Sequence, residues 1–180
     1  MWMRKVILYI AISLDGYVAD NNGSVDWLGG VDVDYAGDYG YDDFITNVDT
    51  VVMGGRTYRQ VVQELSPDVW PYAGLQSYVL TRQPLPDKNK IHFVTQSPVQ
   101  LVEQLRQQSG KDIWICGGAE IAQQLMVHNL IDEYDLSVMP CLLGDGVRLF
   151  GKMPSLQLDL ISANAENGVV RYQYKRRCAE

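Results

Sequence analysis

Two short stretches, "VVMGGRTY" (residues 51–58) and "IWICGGAE" (residues 113–120), have the same shape. In each, a short apolar run of β type stops at a pair of glycines, and the residues that follow read as the start of a helix. A glycine pair at such a corner has a physical use. Without a Cβ the backbone approaches a ligand closely, and a helix N-terminus offers unpaired N–H groups and partial positive charge. Gly117-Gly118 therefore suits a pyrophosphate. Either pair taken alone also reads as a plain tight corner. Two of them, on strands expected to be neighbours, point to one ligand-binding rim, because ligands of open α/β sheets sit beyond the carboxyl ends of the strands.

Outward from these corners, strands and helices alternate. Residues 6–12 read as a buried strand. A Gly/Asp/Tyr-rich loop over residues 20–43 runs into a helix with Tyr41, Phe44, Ile45 and Val48 on one face. Residues 50–53 form a short strand, and the next helix carries Tyr58, Val61, Val62 and Leu65 on one side. Residues 77–81 and 91–95 are strands; Ser97-Pro98 starts a helix and Gly110 stops it. After the strand at 113–116, Ile121, Ala122, Leu125 and Met126 share a helix face. From Asp132 onward the helical period gives way to strands at 133–139, 156–165 and 169–175, the last two joined by the hairpin signal Asn167-Gly168. The pattern predicts one three-layer α/β domain over residues 1–180, with a mixed, mostly parallel central sheet flanked by helices and a β-rich C-terminal part.

With 47 % hydrophobic and 21 % charged residues, the chain has the balance of a globular domain rather than a disordered one. The apolar run 6–14 is too short to span a bilayer and lacks a small-residue cleavage site, so it reads as neither membrane helix nor signal peptide. Cys116, Cys141 and Cys178 are odd in number and widely spaced, which argues against a disulfide framework and fits a reducing cytoplasm. A net charge of −7 opposes non-specific binding to nucleic acid or anionic membrane. An anionic ligand would need a local arrangement. Arg56, Thr57 and Arg59 at the first corner and Thr81-Arg82 after the next strand bring cations and hydroxyls to one end, as a phosphate monoester requires; scattered solvated arginines are the alternative.

In order along the chain, "VILYIAISLDGYVA", "VVMGGRTY", "YVLTR", "IWICGGAEI" and "LLGDGVRLF" resemble the dihydrofolate-reductase-like superfamily. Within it, they are most similar to the C-terminal reductase domain of the riboflavin-biosynthesis deaminase–reductase and its stand-alone bacterial relatives. The likeness covers nearly the whole chain. It implies a central sheet of about eight strands, NADPH as cofactor, and pairing of two copies through the β-rich part. By motif, Ala11 and Val18 would line the nicotinamide, and Gly54, Gly55, Arg56 and Thr57 would hold the adenosine-side phosphates. Thr81 and Arg82 would meet the 2′-phosphate, and Gly117, Gly118, Ala119, Glu120 and Ile121 would take the pyrophosphate. The chain departs from "MGRxTY" in one place: Gly55 stands where many relatives carry arginine, and Arg56 follows one step later, which bears on the preference for NADPH over NADH.

Hydride transfer leaves the protein little to do beyond orienting the cofactor, supplying a proton and gripping the heterocycle. A carboxylate on an aminopyrimidine edge would provide that grip. The candidate catalytic carboxylates are Asp15, in "SLDG", and Asp42 or Asp43, on the helix where dihydrofolate reductases place theirs; Asp38 belongs to the same acidic cluster. A type I′ or II′ turn at Asp15-Gly16 and a solvated helix face at Asp42 and Asp43 are the plainer readings. Trp27 and Phe44 are candidates to stack on a substrate ring and Ser137 to hydrogen-bond it, although each also suits packing.

Other motifs are set aside. "GVRLFGKM" (146–153) has a phosphate-loop skeleton without the Ser or Thr, and Pro154 opposes a following helix. Asp32, Asp34, Gly37 and Asp43 match calcium-loop spacing, but Ala36 occupies a ligand position. His92 and His128 lack partners at ligand spacing, so no metal is expected. The G-x-S-x-G, G-x-G-x-x-G and deaminase zinc motifs do not occur. The reading is an NADPH-dependent reductase of a nitrogen heterocycle, of the 5-amino-6-(5-phosphoribosylamino)uracil reductase type. The alternatives are dihydrofolate or dihydropterin reduction and a nucleotide-binding relative without turnover. The expected partner is a small heterocycle, with neither nucleic acid nor membrane.

Overall fold

The computed structural model describes residues 3–177, so Cys178 lies outside the described residues. Along the chain run β1 (Val6–Ser13), β2 (Tyr17–Ala19), α1 (Tyr41–Thr46), β3 (Val48–Gly54) and α2 (Gly55–Gln60), which continues as a π-helical turn (Val61–Leu65). Then come β4 (Gln76–Leu80), β5 (Ile91–Val94), α3 (Pro98–Arg106), β6 (Asp112–Gly117) and α4 (Ala119–Val127). The tail holds β7 (Glu133–Met139), β8 (Val147–Arg148), β9 (Leu158–Glu166) and β10 (Val169–Arg176). Eight strands form one sheet in the order β5-β4-β3-β6-β1-β7-β10-β9, while β2 and β8 pair separately. From β5 to β7 every pairing is parallel, and β10 and β9 complete the edge antiparallel. This is the predicted mixed sheet, with the β-rich tail as its antiparallel margin.

Strand β1 is apolar from Val6 to Ile12 because both its faces are covered. Val6, Leu8 and Ile12 pack with Leu101, Leu105, Leu125 and Met126 beneath α3 and α4. Ile7 and Tyr9 face the other way, toward Phe44, Val51, Met53 and Trp114. Helix α3 starts as the sequence predicts: Ser97 and Gln100 form a reciprocal capping box, with Pro98 in the first turn. In the β9–β10 hairpin, Asn167 and Gly168 have φ of 49° and 76°, the pair of positive values that a type I′ turn requires.

Two elements differ from their periodicity. Helix α1 ends at Thr46, and Val48 already belongs to β3, so the expected four-residue face is cut short. After α2 the Ser66 N–H donates to the Val61 carbonyl at 2.8 Å, five residues back. That wider turn rotates Leu65 into solvent, where it is 56 % exposed, and leaves Val61 as the buried member of the predicted stripe. Among the described residues no helix is long and apolar enough to cross a membrane.

The topology positions the site. The chain leaves β1, lays down β3, β4 and β5, then returns to insert β6 between β3 and β1. Gly117 at the end of β6 is thereby paired with Met53, beside Gly54 at the end of β3. The two glycine corners open on the same rim.

Candidate cofactor and substrate site

The corners touch. A Cβ on Gly117 would lie 3.2 Å from both Thr57 Cγ2 and Thr57 Oγ1, and one on Gly118 would lie 3.6 Å from the Gly54 nitrogen. Ile121 packs between them, its Cδ1 being 3.2 Å from the Cβ position of either Gly54 or Gly118. Gly118 also has φ of 92°, outside the comfortable range of any residue with a side chain. No side chain among the described residues caps α4, so helix geometry leaves the N–H groups of Ala119 and Glu120 open. Ala119 and Ile121 are buried, and Glu120 is exposed in the first turn.

The first corner also meets the end of β4. The Gly55 Cβ position lies 3.5 Å from the Leu80 carbonyl oxygen, 3.6 Å from Arg59 Nη1 and 3.8 Å from Thr81 Cγ2. The Thr81 hydroxyl donates to the Gln83 carbonyl at 2.6 Å and so shapes this turn. Arg56, Arg59 and Arg82 are exposed and form no ion pair among the described residues. By contrast Arg4, Arg106, Arg171, Arg176 and Arg177 each pair with an aspartate. A cradle that a Cβ would fill, open amides and unpaired guanidinium groups in one place fit the phosphates of a dinucleotide.

Asp15 is engaged elsewhere. Its carboxylate accepts from Ser13 Oγ at 2.6 Å, from the Leu143 N–H at 3.1 Å and from the Gly144 N–H at 2.7 Å. The Ser13 hydrogen bond, followed by those backbone donors, holds its carboxyl down to about 2. The turn closes from the Gly16 N–H to the Ser13 carbonyl, with positive φ at Gly16 but not at Leu14 or Asp15. It is therefore neither type I′ nor II′, both of which need positive φ at the first central residue. Asp15 ties the β1–β2 corner to the loop before β8. On either side of that corner, Ala11 is half-buried, and Val18 packs against the core under α3 and α4.

The acidic cluster is spread over two roles. Asp38 accepts from the Gly40 and Asp42 N–H groups at 3.0 and 2.6 Å, which caps α1 and keeps its own carboxyl low. Asp42 and Asp43 are exposed in the first turn of α1, whereas Phe44 is buried. Phe44 stacks on Tyr9 with ring centroids 4.0 Å apart. Trp27 is half-buried in the long loop, its indole donating to the Ser24 carbonyl at 3.2 Å. Ser137, 7 % exposed, is level with Ala11 on the neighbouring strand.

A polar group on this face escaped the sequence reading. Asp135 is 4 % exposed and accepts from Arg171 Nε and Nη2 at 2.7 and 2.6 Å and from Gln173 Nε2 at 2.8 Å. Gln173 in turn accepts from Ser162 Oγ at 2.6 Å, and Arg171 Nη1 donates to the Tyr39 carbonyl at 3.2 Å. A Cβ on Gly40 would strike that same Nη1, so Arg171 lies against the start of α1. The available signal was the alternation in "EYDLSVM", which sets Asp135 and Ser137 on one face of an interior strand.

The sequence profile of the RibD C-terminal domain family matches residues 4–173, and the chain belongs to that family. It has the reductase-like fold of that family. It is 40 % identical over 151 residues to "Uncharacterized protein YwjB" of Bacillus subtilis strain 168, spanning 83 % of this chain and 84 % of that one. The solved structure of a provisionally named riboflavin biosynthesis protein from Shewanella sp. PV-4 is 31 % identical, with a TM-score of 0.84 over 97 % of this chain and 99 % of that one. A diaminohydroxyphosphoribosylaminopyrimidine deaminase/5-amino-6-(5-phosphoribosylamino)uracil reductase from Thermotoga maritima shares the fold at 14 % identity and a TM-score of 0.69, with 97 % of this chain covering 57 % of that longer protein.

Proposed function

We propose that the chain is an NADPH-dependent reductase of a nitrogen heterocycle, acting on a C=N bond or ribosylamino group of the 5-amino-6-(5-phosphoribosylamino)uracil type. One observation carries the reading: two glycine corners in contact on one rim, beside three arginines that have no carboxylate partner among the described residues. Family membership supports the reductase class.

When bound, NADPH supplies the hydride. Gly117, Gly118 and the first turn of α4 hold its pyrophosphate, while Gly54, Gly55, Arg56, Thr57 and Arg82 hold the adenosine-side phosphates. Ala11 and Val18, on the two strands that leave the β1–β2 corner, flank the nicotinamide. Asp15 keeps that corner in place through its three hydrogen bonds. The substrate ring sits on the face of Ala11, Ser137 and the Tyr9–Phe44 stack, and exposed Asp42 and Asp43 remain outside it. Leu160 and Ile161 are about half-exposed on the edge strand β9, which favours pairing of two copies there.

The test is oxidation of NADPH, followed by its near-ultraviolet absorbance, with a ribosylaminopyrimidine and with dihydrofolate. Turnover of the aminopyrimidine supports the reading. Turnover of dihydrofolate alone reassigns the substrate, and oxidation of neither removes the reductase proposal.

A further inference from the structure

Tyr9 stands on β1 two residues before Ala11, on the same face of the strand. Its ring is fixed by its neighbours. Phe44 stacks on it at 4.0 Å and 12°, Trp114 meets it edge-on at 5.9 Å, and the Arg171 guanidinium carbon lies 5.4 Å from the ring centre. Trp114 Nε1 also donates to the Tyr9 carbonyl at 2.9 Å. Arg171 is itself immobilised by two hydrogen bonds to Asp135, so this clamp is built from four strands and α1.

What the clamp leaves free is the hydroxyl. The Tyr9 phenol and Ser137 Oγ make no hydrogen bond among the described residues, and neither is sealed from solvent, in contrast to the enclosed Arg106 Nε. Burial pushes the Tyr9 phenol up to about 12, only partly offset by Arg171, so it stays a protonated donor near neutrality. Register places Tyr9 level with Asp135, and Ser137 one step further along the same face, level with Ala11. Asp135 and Gln173 are occupied by Arg171 and Ser162, so these groups brace the wall and leave the two hydroxyls to face a ligand. A hydroxyl both donates and accepts, and two of them on one face of adjacent strands can serve an edge carrying one donor and one acceptor.

We propose that the Tyr9 and Ser137 hydroxyls read the lactam edge (–NH–C=O) of the substrate heterocycle, with Tyr9 as the specificity-determining residue. This rests on the reductase reading for the identity of the ring. A ring without such an edge leaves both hydroxyls unpaired in a partly desolvated wall, which is how a polar site rejects an apolar analogue.

Tyr9→Phe keeps the ring and its stacking and deletes only the hydroxyl; Ser137→Ala does the same on β7. Two readouts are used with each variant: kcat and KM in the NADPH assay, and calorimetric affinity for 5,6-diaminouracil, which needs no turnover. Tyr9→Phe is expected to lower diaminouracil affinity and kcat/KM by about tenfold, mainly through KM, with thermal stability and NADPH affinity unchanged. Unchanged affinity and kcat/KM in Tyr9→Phe overturn the inference, as does failure of the wild-type chain to bind diaminouracil. Binding that depends on Tyr9 in a protein that never oxidises NADPH upholds the wall and refutes the reductase reading instead. If Tyr9→Phe lowers stability, the wild-type Tyr9 ring resonances decide by NMR: a shift on adding diaminouracil supports the inference, and none overturns it.

Discussion

At the amino end of the sheet, Arg4 is 5 % exposed and gives its guanidinium to Asp49, to Thr50 Oγ1 and to the carbonyls of Lys111 and Leu105. Nearby, Asp132 gathers Arg106, Arg176 and the Val6 N–H. At the carboxyl end, Arg56, Arg59 and Arg82 lie exposed beside bare glycine corners and pair with no acid among the described residues. Both ends belong to a chain of net charge −7, so acids are plentiful and the difference is one of placement. Cations at the amino end fasten strands together. Those at the carboxyl end have no acid partner among the described residues, and in the proposed reading they meet the cofactor's phosphates. A hollow of about 300 Å³ at the amino end is lined by Lys5, Arg106, Asp132 and Glu133, but these charges already answer one another.

That contrast can be broken by experiment, beginning where the effect is largest. Arg4→Ala leaves the Lys111 and Leu105 carbonyls without their donor and removes one of the partners of Asp49 and Thr50, and should cost about 2–4 kcal/mol of stability in urea denaturation. NADPH affinity of the folded fraction should not move. A small stability loss would mean that the amino end is not the fastening end.

Gly117→Val probes the opposite end. Its Cβ falls 3.2 Å from the Thr57 side chain, and the added methyl groups crowd further, at an overpacking cost of about 1–3 kcal/mol. Circular dichroism should still report the folded sheet, while NADPH binding disappears. Retained affinity would move the pyrophosphate away from this corner.

Asp15→Asn gives the smallest effect and the most specific signature. In the folded chain the carboxyl is held near 2, below its unfolded value of about 3.9, so its stabilising effect is full above that value and is lost as pH falls toward 2. The variant should melt a few degrees below wild type at neutral pH, and urea titrations should show the gap closing as pH drops below about 4. A gap independent of pH would contradict the clamp assigned to this residue.

Much of the carboxyl rim was legible in the sequence because its signals are local. A glycine pair after an apolar run marks a corner wherever the rest of the chain goes, and Ser97-Pro98 marks a helix start from two adjacent residues. The corners' adjacency depended on β6 returning between β3 and β1, which alternation suggests but does not fix. The Asp135–Arg171 pair was illegible for a plainer reason. It exists because β10 runs back antiparallel along β7 in the register that sets Arg171 beside Ser137, a contact 36 residues apart in the chain. Asp15 likewise meets its partners Leu143 and Gly144 only after folding, so its tie to the loop before β8 was not legible in "SLDG". The π-helical turn at Val61–Leu65 escaped because periodicity assumes a constant turn.

The most direct test is a calorimetric titration of the chain with NADPH, repeated on the double variant Arg56→Ala, Arg82→Ala. The wild type should bind saturably and more weakly as salt rises, and loss of the two guanidinium groups should weaken binding by at least about tenfold without changing the melting temperature. Absence of binding, or equal affinity in the double variant, would contradict the claim that the unpaired cations of the carboxyl rim await the cofactor's phosphates.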